Sequence, residues 1–446
     1  MAKQRLVVLG GGESGIGSAV LGKVKGLDVF LSDNGQIKPD FKKTLEQFDI
    51  PFEECGHTKS AILNADEVVK SPGIPEDNPL VLLIKENRIP IISEIEFAGR
   101  YDTAKKICIT GSNGKTTTTS LIYYMLKNAG LNVGLAGNIG KSYAYQVATE
   151  KFDYYVIELS SFQLDGMYKF KADIAILMNI TPDHLDRYEF QMQNYVNAKF
   201  RITQNLTKKE CFVFCADDPI TAKELDKIVL TAKKLPFTQK EKVEQGAFID
   251  EDKLYVRYED DEYSMYMKEL ALPGKHNLYN QMAAAIAAKV VDIDNKVIRE
   301  SLMSFQGVEH RLEKVLTVKS VLYVNDSKAT NVDAAWYALD SMTTPVVWIA
   351  GGKDKGNDYS QLYELVKNKV RVLICMGLHN EKLHQCFADK VDKIIDVTSA
   401  KDAVAVAYKY AKPGDTVLLS PCCASFDLFK NYEDRGEQFK QAVKEL

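Results

Sequence analysis

The sequence predicts an α/β fold in which mostly parallel sheets are covered by helices. Short apolar runs rich in β-branched residues alternate with longer helical patterns from end to end, a pattern typical of parallel strands joined by helical crossovers. The 446 residues exceed what one hydrophobic core normally holds, and at about 150 residues per domain they favour three domains.

The first domain is predicted over residues 1–98 and is Rossmann-like. Its strands are expected at Leu6–Leu9, Asp28–Leu31, Glu67–Val69 and Ile89–Ile92. A change in composition over residues 99–105 marks its end. The glycines of Gly10-Gly11-Gly12-Glu13-Ser14-Gly15 follow the first strand and open a helix, and Asp33 follows the second strand, so this turn is suited to a diphosphate.

The central domain, residues 99–307, is expected to bind ATP on a mostly parallel sheet. Its strands are predicted at Lys106–Thr110, Asp153–Ile157, Ala172–Met178 and Cys211–Cys215. The segment Gly246–Met267 alternates polar and apolar residues and predicts antiparallel, half-exposed strands. An alanine-rich helix is expected at Asn277–Val290.

The third domain, residues 308–446, is predicted to be a second Rossmann-like α/β unit. Strands are expected at Val321–Val324, Val346–Ala350, Val370–Met376, Lys393–Val397 and Val417–Ser420. A helix over Phe426–Asn431 would follow the last strand, with Ser425 as its N-cap.

Composition excludes several classes of protein. With 57 Lys+Arg against 61 Asp+Glu, the net charge is -4, which does not favour a binder of nucleic acid. No apolar run reaches the roughly 18 residues that a membrane span needs. The apolar run near the N-terminus is too short for a signal peptide. We therefore expect a cytoplasmic protein whose cysteines, mostly in apolar runs, are reduced core thiols.

The strongest local signal is a phosphate loop, T-G-S-N-G-K-T-T, between a predicted strand and a helix. Its glycines let backbone N–H groups face phosphate, Lys115 neutralises it, and the Thr116 hydroxyl reaches a magnesium ion. The leading glycine is Gly111, and Ile109 stands where the usual pattern has glycine.

Other polar groups follow strands of the same domain. Glu158 ends one predicted strand and is suited to hold magnesium, while His184 and Asp186 follow another. Ligands bind at such strand ends in open α/β sheets. A GTPase is disfavoured because the sequence lacks an N-K-x-D segment, and a dehydrogenase would leave the phosphate loop unexplained.

Several motifs together resemble the Mur ligases, ATP-dependent amide-forming enzymes of peptidoglycan precursor synthesis. They span all three domains in the family's order: the phosphate loop, Ala136–Gly140, Asn179 with His184, His276-Asn277-x-x-Asn280, His310–Glu313 and Asn325–Asn331. Within the family, Lys70–Ile74 and the segment from Leu419 to Gly436 resemble the branch that adds D-glutamate to UDP-N-acetylmuramoyl-L-alanine.

The resemblance implies a binding site in each of the first two domains. The residues implied for the UDP-sugar are Ser14, Asp33, Asn34, Ser71, Pro72, Gly73 and Asn138. Those implied for ATP are Gly111, Ser112, Asn113, Gly114, Lys115, Thr116 and Thr117 in the loop, with Asn277, Asn280, Arg311 and Asp326 elsewhere. His310 and Arg311 would couple closure of the third domain to nucleotide binding.

By the same resemblance the reaction passes through an acyl phosphate. The L-alanine carboxylate attacks the γ-phosphate of ATP, and the amine of D-glutamate then displaces phosphate. Lys115, His184, Glu158 and Lys199 would be the catalytic residues, with two Mg²⁺ ions held by Thr116, Glu158, His184 and Lys199. Lys199 would be carbamylated, because a carbamate offers the oxygen ligands that a hard cation prefers.

D-glutamate is expected in the third domain. The residues assigned to it are Lys328, Thr330, Lys355, Ser425, Phe426 and Tyr432. Most of them lie in loops that follow strands, and such loops converge at one edge of a parallel sheet. Cations and hydroxyls at that edge suit an amino acid with two carboxylates.

Two alternatives stay open. A sibling ligase, or a folylpolyglutamate-type ligase, would add a different amino acid to a different acceptor. A regulatory ATPase would turn over ATP without any amino acid. We expect a monomer.

Overall fold

The computed structural model describes residues 3–446 and contains three sheets. The chain divides into two compact units, one holding the chain up to Leu270 with Tyr279–Ser304, the other holding Ala271–Leu278 with Phe305–Leu446. Among the described residues, no helix combines the length and the apolar character that crossing a membrane requires.

The first sheet is parallel and carries the glycine-rich turn at its centre. Its five strands are ordered β3-β2-β1-β4-β5, which are Phe52–Glu53, Asp28–Ser32, Arg5–Leu9, Glu67–Lys70 and Ile91–Ile92. The helices α1–α5 cover Glu13–Val24, Pro39–Gln47, Lys59–Ile62, Pro79–Glu86 and Glu94–Gly99. Leu6–Leu9 of β1 and all four residues of β4 are buried, as expected for central strands of a parallel sheet that is covered on both faces.

The central sheet has nine strands in the order β14-β13-β12-β11-β10-β9-β6-β8-β7. In chain order from β6 they are Lys105–Thr110, Val133–Gly137, Tyr154–Glu158, Ile174–Leu177, Cys211–Cys215, Lys233–Thr238, Gly246–Asp250, Lys253–Tyr258 and Asp261–Tyr266. Helices α6–α12 are Lys115–Asn128, Tyr143–Thr149, Ser161–Asp165, Met192–Phe200, Pro219–Leu225, Lys275–Val290 and Asn295–Ser304. Strands β12–β14 pair antiparallel, which confirms the prediction for that segment.

The third sheet has six strands in the order β15-β16-β20-β17-β18-β19. From β15 they are Glu313–Val318, Val321–Asn325, Val346–Ala350, Val370–Met376, Lys393–Val397 and Thr416–Leu419. Helices α13–α17 are Val332–Ser341, Tyr363–Lys369, Glu381–Phe387, Ala400–Tyr410 and Tyr432–Lys444. Strand β15 is antiparallel to β16 and the other pairs are parallel, so one edge collects the carboxyl ends of five strands.

The α/β fold class is confirmed, and one local prediction is wrong. Residues 426–431 form turns and bends rather than a helix. The helix begins at Tyr432, where the side chain of Asn431 accepts a hydrogen bond from the N–H of Asp434 at 2.8 Å and caps it. The cap therefore lies six residues later than expected. All eight cysteines are free thiols; six are buried, as predicted for core thiols, whereas Cys55 is exposed and Cys386 is half-buried.

Candidate active site

The glycine loop between β6 and α6 is shaped to receive an anion. Helix α6 begins at Lys115, and Gly114 before it has a φ of 85°, which glycine adopts without strain. A Cβ on Gly114 would lie 2.3 Å from Oδ1 of Asn280, so a side chain there would displace Asn280. Backbone N–H groups and the dipole at such a helix start attract phosphate, and Thr116 and Thr117 are buried in that turn.

The loop is held in place by the segment that follows β9. The side chain of Asn179 accepts a hydrogen bond from the N–H of Asn113 at 2.9 Å and donates one to its carbonyl at 3.1 Å. The hydroxyl of Ser112 donates to the carbonyl of Thr181 and accepts from its N–H, both at 2.9 Å. These paired bonds fix the loop conformation before any ligand arrives.

Two lysines converge on one carbonyl oxygen of the loop. Nζ of Lys115 and Nζ of Lys199 each donate a hydrogen bond to the carbonyl of Gly111 at 2.8 Å. Lys115 also donates to the carbonyl of Ser112 at 2.9 Å. Both predicted catalytic lysines therefore lie at the phosphate loop, although Lys199 comes from the distant helix α9.

The surroundings of Lys199 strongly lower the pKa of its side chain. Its side chain is 2% exposed, and burial lowers its pKa well below 10.5, with Lys115 acting in the same direction against Asp183, Asp165 and Glu158. Burial disfavours the charged form of an amine. The lowered pKa favours the neutral amine, the form that can act as a nucleophile.

Glu158 offers a buried oxygen to a cation. It ends β8, beside β6, and is 1% exposed. Its Oε1 accepts a hydrogen bond from Nδ2 of Asn138 at 2.8 Å, whereas its Oε2 is buried and has no hydrogen-bond partner among the described residues. An unsatisfied buried oxygen is costly, and a carboxylate oxygen next to a phosphate loop is a ligand type that Mg²⁺ uses.

His184 lies at the start of a short 3₁₀ helix, Leu185–Tyr188, and has a φ of 53°. Its ring packs edge-to-face on Phe162, with ring centroids 5.2 Å apart. The guanidinium of Arg187 lies over the ring of Phe162, 4.4 Å from the ring centroid. It also donates a hydrogen bond to the carbonyl of Pro72 at 3.3 Å. The His184 segment thus contacts the loop Ser71–Gly73 that follows β4.

The two predicted asparagines of α11 have different surroundings. Oδ1 of Asn280 accepts a hydrogen bond from the Thr118 hydroxyl at 3.3 Å, which places Asn280 against the start of α6. The side chain of Asn277 donates to the carbonyl of Pro273 at 2.8 Å.

The glycine-rich turn of the first sheet is anchored by Asp33. Its two carboxylate oxygens accept hydrogen bonds from the N–H groups of Gly11 at 2.5 Å and Gly35 at 2.6 Å. A Cβ on Gly15 would lie 1.8 Å from the carbonyl oxygen of Gly10, so α1 approaches the turn as closely as a phosphate-binding turn requires. The hydroxyls of Ser14 and Ser71 lie 3.5 Å apart. Asn34 and Gly73 are exposed.

In the second unit, Asp326 follows β16 and is buried. It accepts hydrogen bonds from the Ser420 hydroxyl at 2.8 Å and the N–H of Leu312 at 3.2 Å. Burial raises its pKa to about 7, against the opposite effect of Arg311. Nε of Arg311 is buried and has no hydrogen-bond partner within the described residues.

The predicted amino-acid residues lie on loops at the carboxyl edge of the third sheet. The ammonium of Lys328 lies 5.2 Å from the ring centroid of Tyr432. The loop of Lys355 pairs with that of Ser425, since the N–H of Lys353 donates to the carbonyl of Ala424 at 2.8 Å. Ser425 is buried, Thr330 is half-buried, and Lys355 and Phe426 are exposed. The N–H of Thr330 donates a hydrogen bond to the carbonyl of Lys328 at 3.0 Å.

Arg435 is a site-building residue to which the sequence reasoning gave no role. It is 1% exposed; its guanidinium donates to the hydroxyl and carbonyl of Ser327 at 2.9 and 2.8 Å and to the carbonyl of Cys423 at 3.2 Å. It thereby ties the loop after β16 to the loop after β20. Its spacing with the buried Phe439 and Val443, at i+4 and i+8, was a signal that it faces the core.

Three family models match most of the chain. They are the MurD N-terminal domain over residues 6–79, the Mur ligase middle domain over residues 109–288, and the Mur ligase glutamate ligase domain over residues 310–423. Their order is that of the three sheets.

Relatives match over the full length of the chain. The UDP-N-acetylmuramoylalanine--D-glutamate ligase of Bacteroides fragilis is 61% identical over 99% of this chain and 100% of its own, and that of Bacteroides thetaiotaomicron is 59% identical over the same shares.

Solved structures share the fold at lower identity. The UDP-N-acetylmuramate-alanine ligase MurC of Thermotoga maritima has a TM-score of 0.63 at 18% identity, covering 99% of both chains. The MurF ligase of Thermotoga maritima, solved in complex with ADP, has a TM-score of 0.60 at 15% identity, covering 95% of this chain and 97% of its own.

Proposed function

This chain belongs to the Mur ligase family, and we propose from that premise that it is a UDP-N-acetylmuramoyl-L-alanine:D-glutamate ligase of peptidoglycan precursor synthesis. It joins D-glutamate to the acceptor's L-alanine carboxylate and converts ATP to ADP and phosphate. The observation that carries the proposal is the full-length identity of 61% to a ligase of that name. The convergence of Lys115, Lys199 and Glu158 at one phosphate loop supports it.

The chain's own groups account for the chemistry by positioning and charge. A carboxylate is unreactive towards an amine in water, so it first takes the γ-phosphoryl group and becomes an acyl phosphate. The amine of D-glutamate then attacks the acyl carbon, and phosphate leaves. Lys115 and the backbone N–H groups at the start of α6 neutralise and orient the phosphates, which is the main requirement of phosphoryl transfer.

Magnesium fits the residues assigned to it. The unpartnered Oε2 of Glu158 and the buried Thr116 lie at the phosphate loop, and His184 follows the neighbouring strand β9. When bound there, two Mg²⁺ ions would neutralise charge on the phosphates. Glu158, Thr116, His184 and Lys199 would be their protein ligands.

Lys199 would act as a carbamate. Burial lowers the pKa of its amine and so favours the neutral form. The neutral amine would add to the carbon of CO₂ and release one proton to solvent. The product is an anion with oxygen ligands for a hard cation. Such an anion would also be attracted to the neighbouring ammonium group of Lys115.

The family resemblance assigns each substrate to its own set of residues. Ser14, Asp33, Asn34, Asn138 and the loop Ser71–Gly73 would hold the UDP-sugar, and Lys328, Thr330, Lys355, Ser425, Phe426 and Tyr432 would hold D-glutamate. ATP would use the phosphate loop with Asn277, Asn280, Arg311 and Asp326. We further propose a cytoplasmic monomer with domains at 1–98, 99–307 and 308–446.

The test is phosphate release from ATP by the purified protein. It should require both UDP-N-acetylmuramoyl-L-alanine and D-glutamate, and mass spectrometry should find one added glutamate on the acceptor. Release with a different amino acid in place of D-glutamate would indicate a sibling ligase. Release that is independent of any amino acid would indicate a regulatory ATPase and would refute the proposal.

A further inference from the structure

We propose a second metal site in this protein, formed by Cys375, His384 and Asp396 in the third sheet and suited to Zn²⁺ or a similar transition metal. Each residue offers one ligand atom, and the three atoms lie within 4.8 Å of one another. The site is separate from the residues assigned to ATP, the UDP-sugar and D-glutamate.

The fold brings these three residues together through one crossover. Cys375 lies on β18 and Asp396 on β19, and they are direct partners in the parallel register, so their side chains share one face of the sheet. His384 lies on α15, the helix that connects the two strands and covers that face. Nε2 of His384 is 3.0 Å from both carboxylate oxygens of Asp396.

Asn380 orients this group as an outer-shell residue would. Its Nδ2 donates to Oδ1 of Asp396 at 2.9 Å and to the carbonyls of Gly377 at 3.1 Å and Cys375 at 3.3 Å. The carboxylate is therefore held towards the sulfur and the imidazole. Such hydrogen bonds to ligating groups are a regular feature of metal sites.

The donor set selects the class of metal. One thiolate, one imidazole and one carboxylate are ligands that Zn²⁺ takes at about 2.0–2.3 Å, with water completing a tetrahedron. Mg²⁺ and Ca²⁺ prefer oxygen ligands and would not compete well for the sulfur. His384 and Asp396 are 40% and 55% exposed, so an ion can enter from solvent and small movements can close the geometry.

Binding replaces a proton at the sulfur. Cys375 is fully buried, and burial, with a smaller contribution from Asp396, raises the pKa of its thiol. A divalent ion bound to His384 and Asp396 would supply the missing positive charge. The S–H bond then breaks, the sulfur donates its electron pair to the metal, and the proton leaves to the buffer.

The test uses the untagged full-length protein, freed of metal by a chelator and kept reduced. It is titrated with CoCl₂ under saturating Mg²⁺, and the thiolate-to-Co²⁺ charge-transfer band is followed in the near ultraviolet. We expect the band to saturate at one Co²⁺ per chain and to disappear when ZnCl₂ displaces the Co²⁺. The residues assigned to Mg²⁺ include no cysteine, so they cannot produce this band.

Matched variants decide whether the band comes from this site. Cys375→Ser should abolish the band. Asn380→Ala should lower the affinity for Co²⁺ by about 10- to 100-fold. His384→Ala and Asp396→Asn should lower that affinity at least as much. Cys386→Ser, on the same helix, and His379→Ala, an exposed neighbour, should retain it. No band in the wild type, or an unchanged band in Cys375→Ser or His384→Ala, would overturn the proposal.

Discussion

The phosphate loop of the first unit and the loop cluster at the carboxyl edge of the third sheet are built differently. In the phosphate loop, neighbours in sequence form the site, and Asn179 and Ser112 fix it with paired hydrogen bonds. In the third sheet the residues come from separate loops, for example Ser327 and Tyr432, which are hydrogen-bonded although 105 positions apart.

This difference teaches where each kind of specificity resides. A preassembled loop with buried polar groups suits a ligand that every family member shares, because hydrogen bonds from the neighbouring strand end fix its geometry in advance. Loops that meet at a sheet edge can change one at a time, which suits a pocket that selects one amino acid. Variants in the first region should therefore reduce chemistry, and variants in the second should reduce the use of one substrate.

The largest effect is expected for Lys115→Ala. The ammonium now held by the carbonyls of Gly111 and Ser112 would neutralise the phosphates in the transition state, so kcat should fall by at least about 10²–10³-fold. Binding of the UDP-sugar, measured by calorimetry, should be unchanged. Lys127→Ala, an exposed lysine at the other end of α6, serves as the control and should be active. Equal loss of ATP and UDP-sugar binding in Lys115→Ala would show misfolding and leave the role unsupported.

Lys199→Ala should come next, with a loss of at least about 10- to 100-fold, the size typical of an outer-shell partner, because Lys199 would be a direct ligand of the metal. Added acetate or formate should restore part of the rate, because a small carboxylate can replace the carbamate. The exposed Lys208→Ala provides the matched control. Full activity in Lys199→Ala, or no rescue by either carboxylate, would argue against a carbamate at this position.

The third-sheet loops are tested by Lys355→Ala and Ser425→Ala. Removing a hydrogen-bonded partner of a bound carboxylate costs on the order of 2–5 kcal/mol, so kcat/KM for D-glutamate should fall by roughly 30- to 5,000-fold while the KM for ATP changes little. Lys353→Ala is the control, because its backbone bond to Ala424 survives the change. Wild-type dependence on D-glutamate in both variants would make the pocket assignment wrong and would favour a sibling ligase.

The same contrast explains what the sequence could predict. The phosphate loop, the strand ends at Glu158 and His184, and the antiparallel segment after Gly246 follow from local pattern. The roles of Arg435 and Asn280 depend on contacts between distant segments, which periodicity alone does not reveal. The helix expected at Phe426–Asn431 was wrong because a cap is decided by which side chain reaches a backbone N–H, and Asn431 rather than Ser425 does so.

Each unit also contains one buried carboxyl group whose pKa is raised to about 7, Glu94 in the first and Asp326 in the second. Their surroundings differ. Asp326 has Arg311 nearby, whereas Glu94 has the carboxylate of Glu13 acting against its ionisation. Glu94 is satisfied by neutral donors alone: its Oε1 accepts hydrogen bonds from the Ser142 hydroxyl at 2.5 Å and the N–H of Ala144 at 3.0 Å.

The smallest effect is therefore expected from Glu94→Gln, and it should be stabilising. Because the folded pKa of about 7 exceeds the ordinary 4.5, the folded state retains a proton that the unfolded state releases between these values, so the free energy of unfolding falls as pH rises from about 4.5 to 7. Glutamine keeps both accepted hydrogen bonds and cannot ionise. Urea unfolding followed by circular dichroism should show Glu94→Gln more stable than wild type by roughly 1–3 kcal/mol at pH 8 and nearly equal at pH 4.5. Glu13→Gln should give a smaller gain in the free energy of unfolding at pH 8, since it removes only the repulsion between the carboxylates of Glu13 and Glu94. A stability difference between Glu94→Gln and wild type that is independent of pH would mean that packing, and not the ionisation of Glu94, causes the difference.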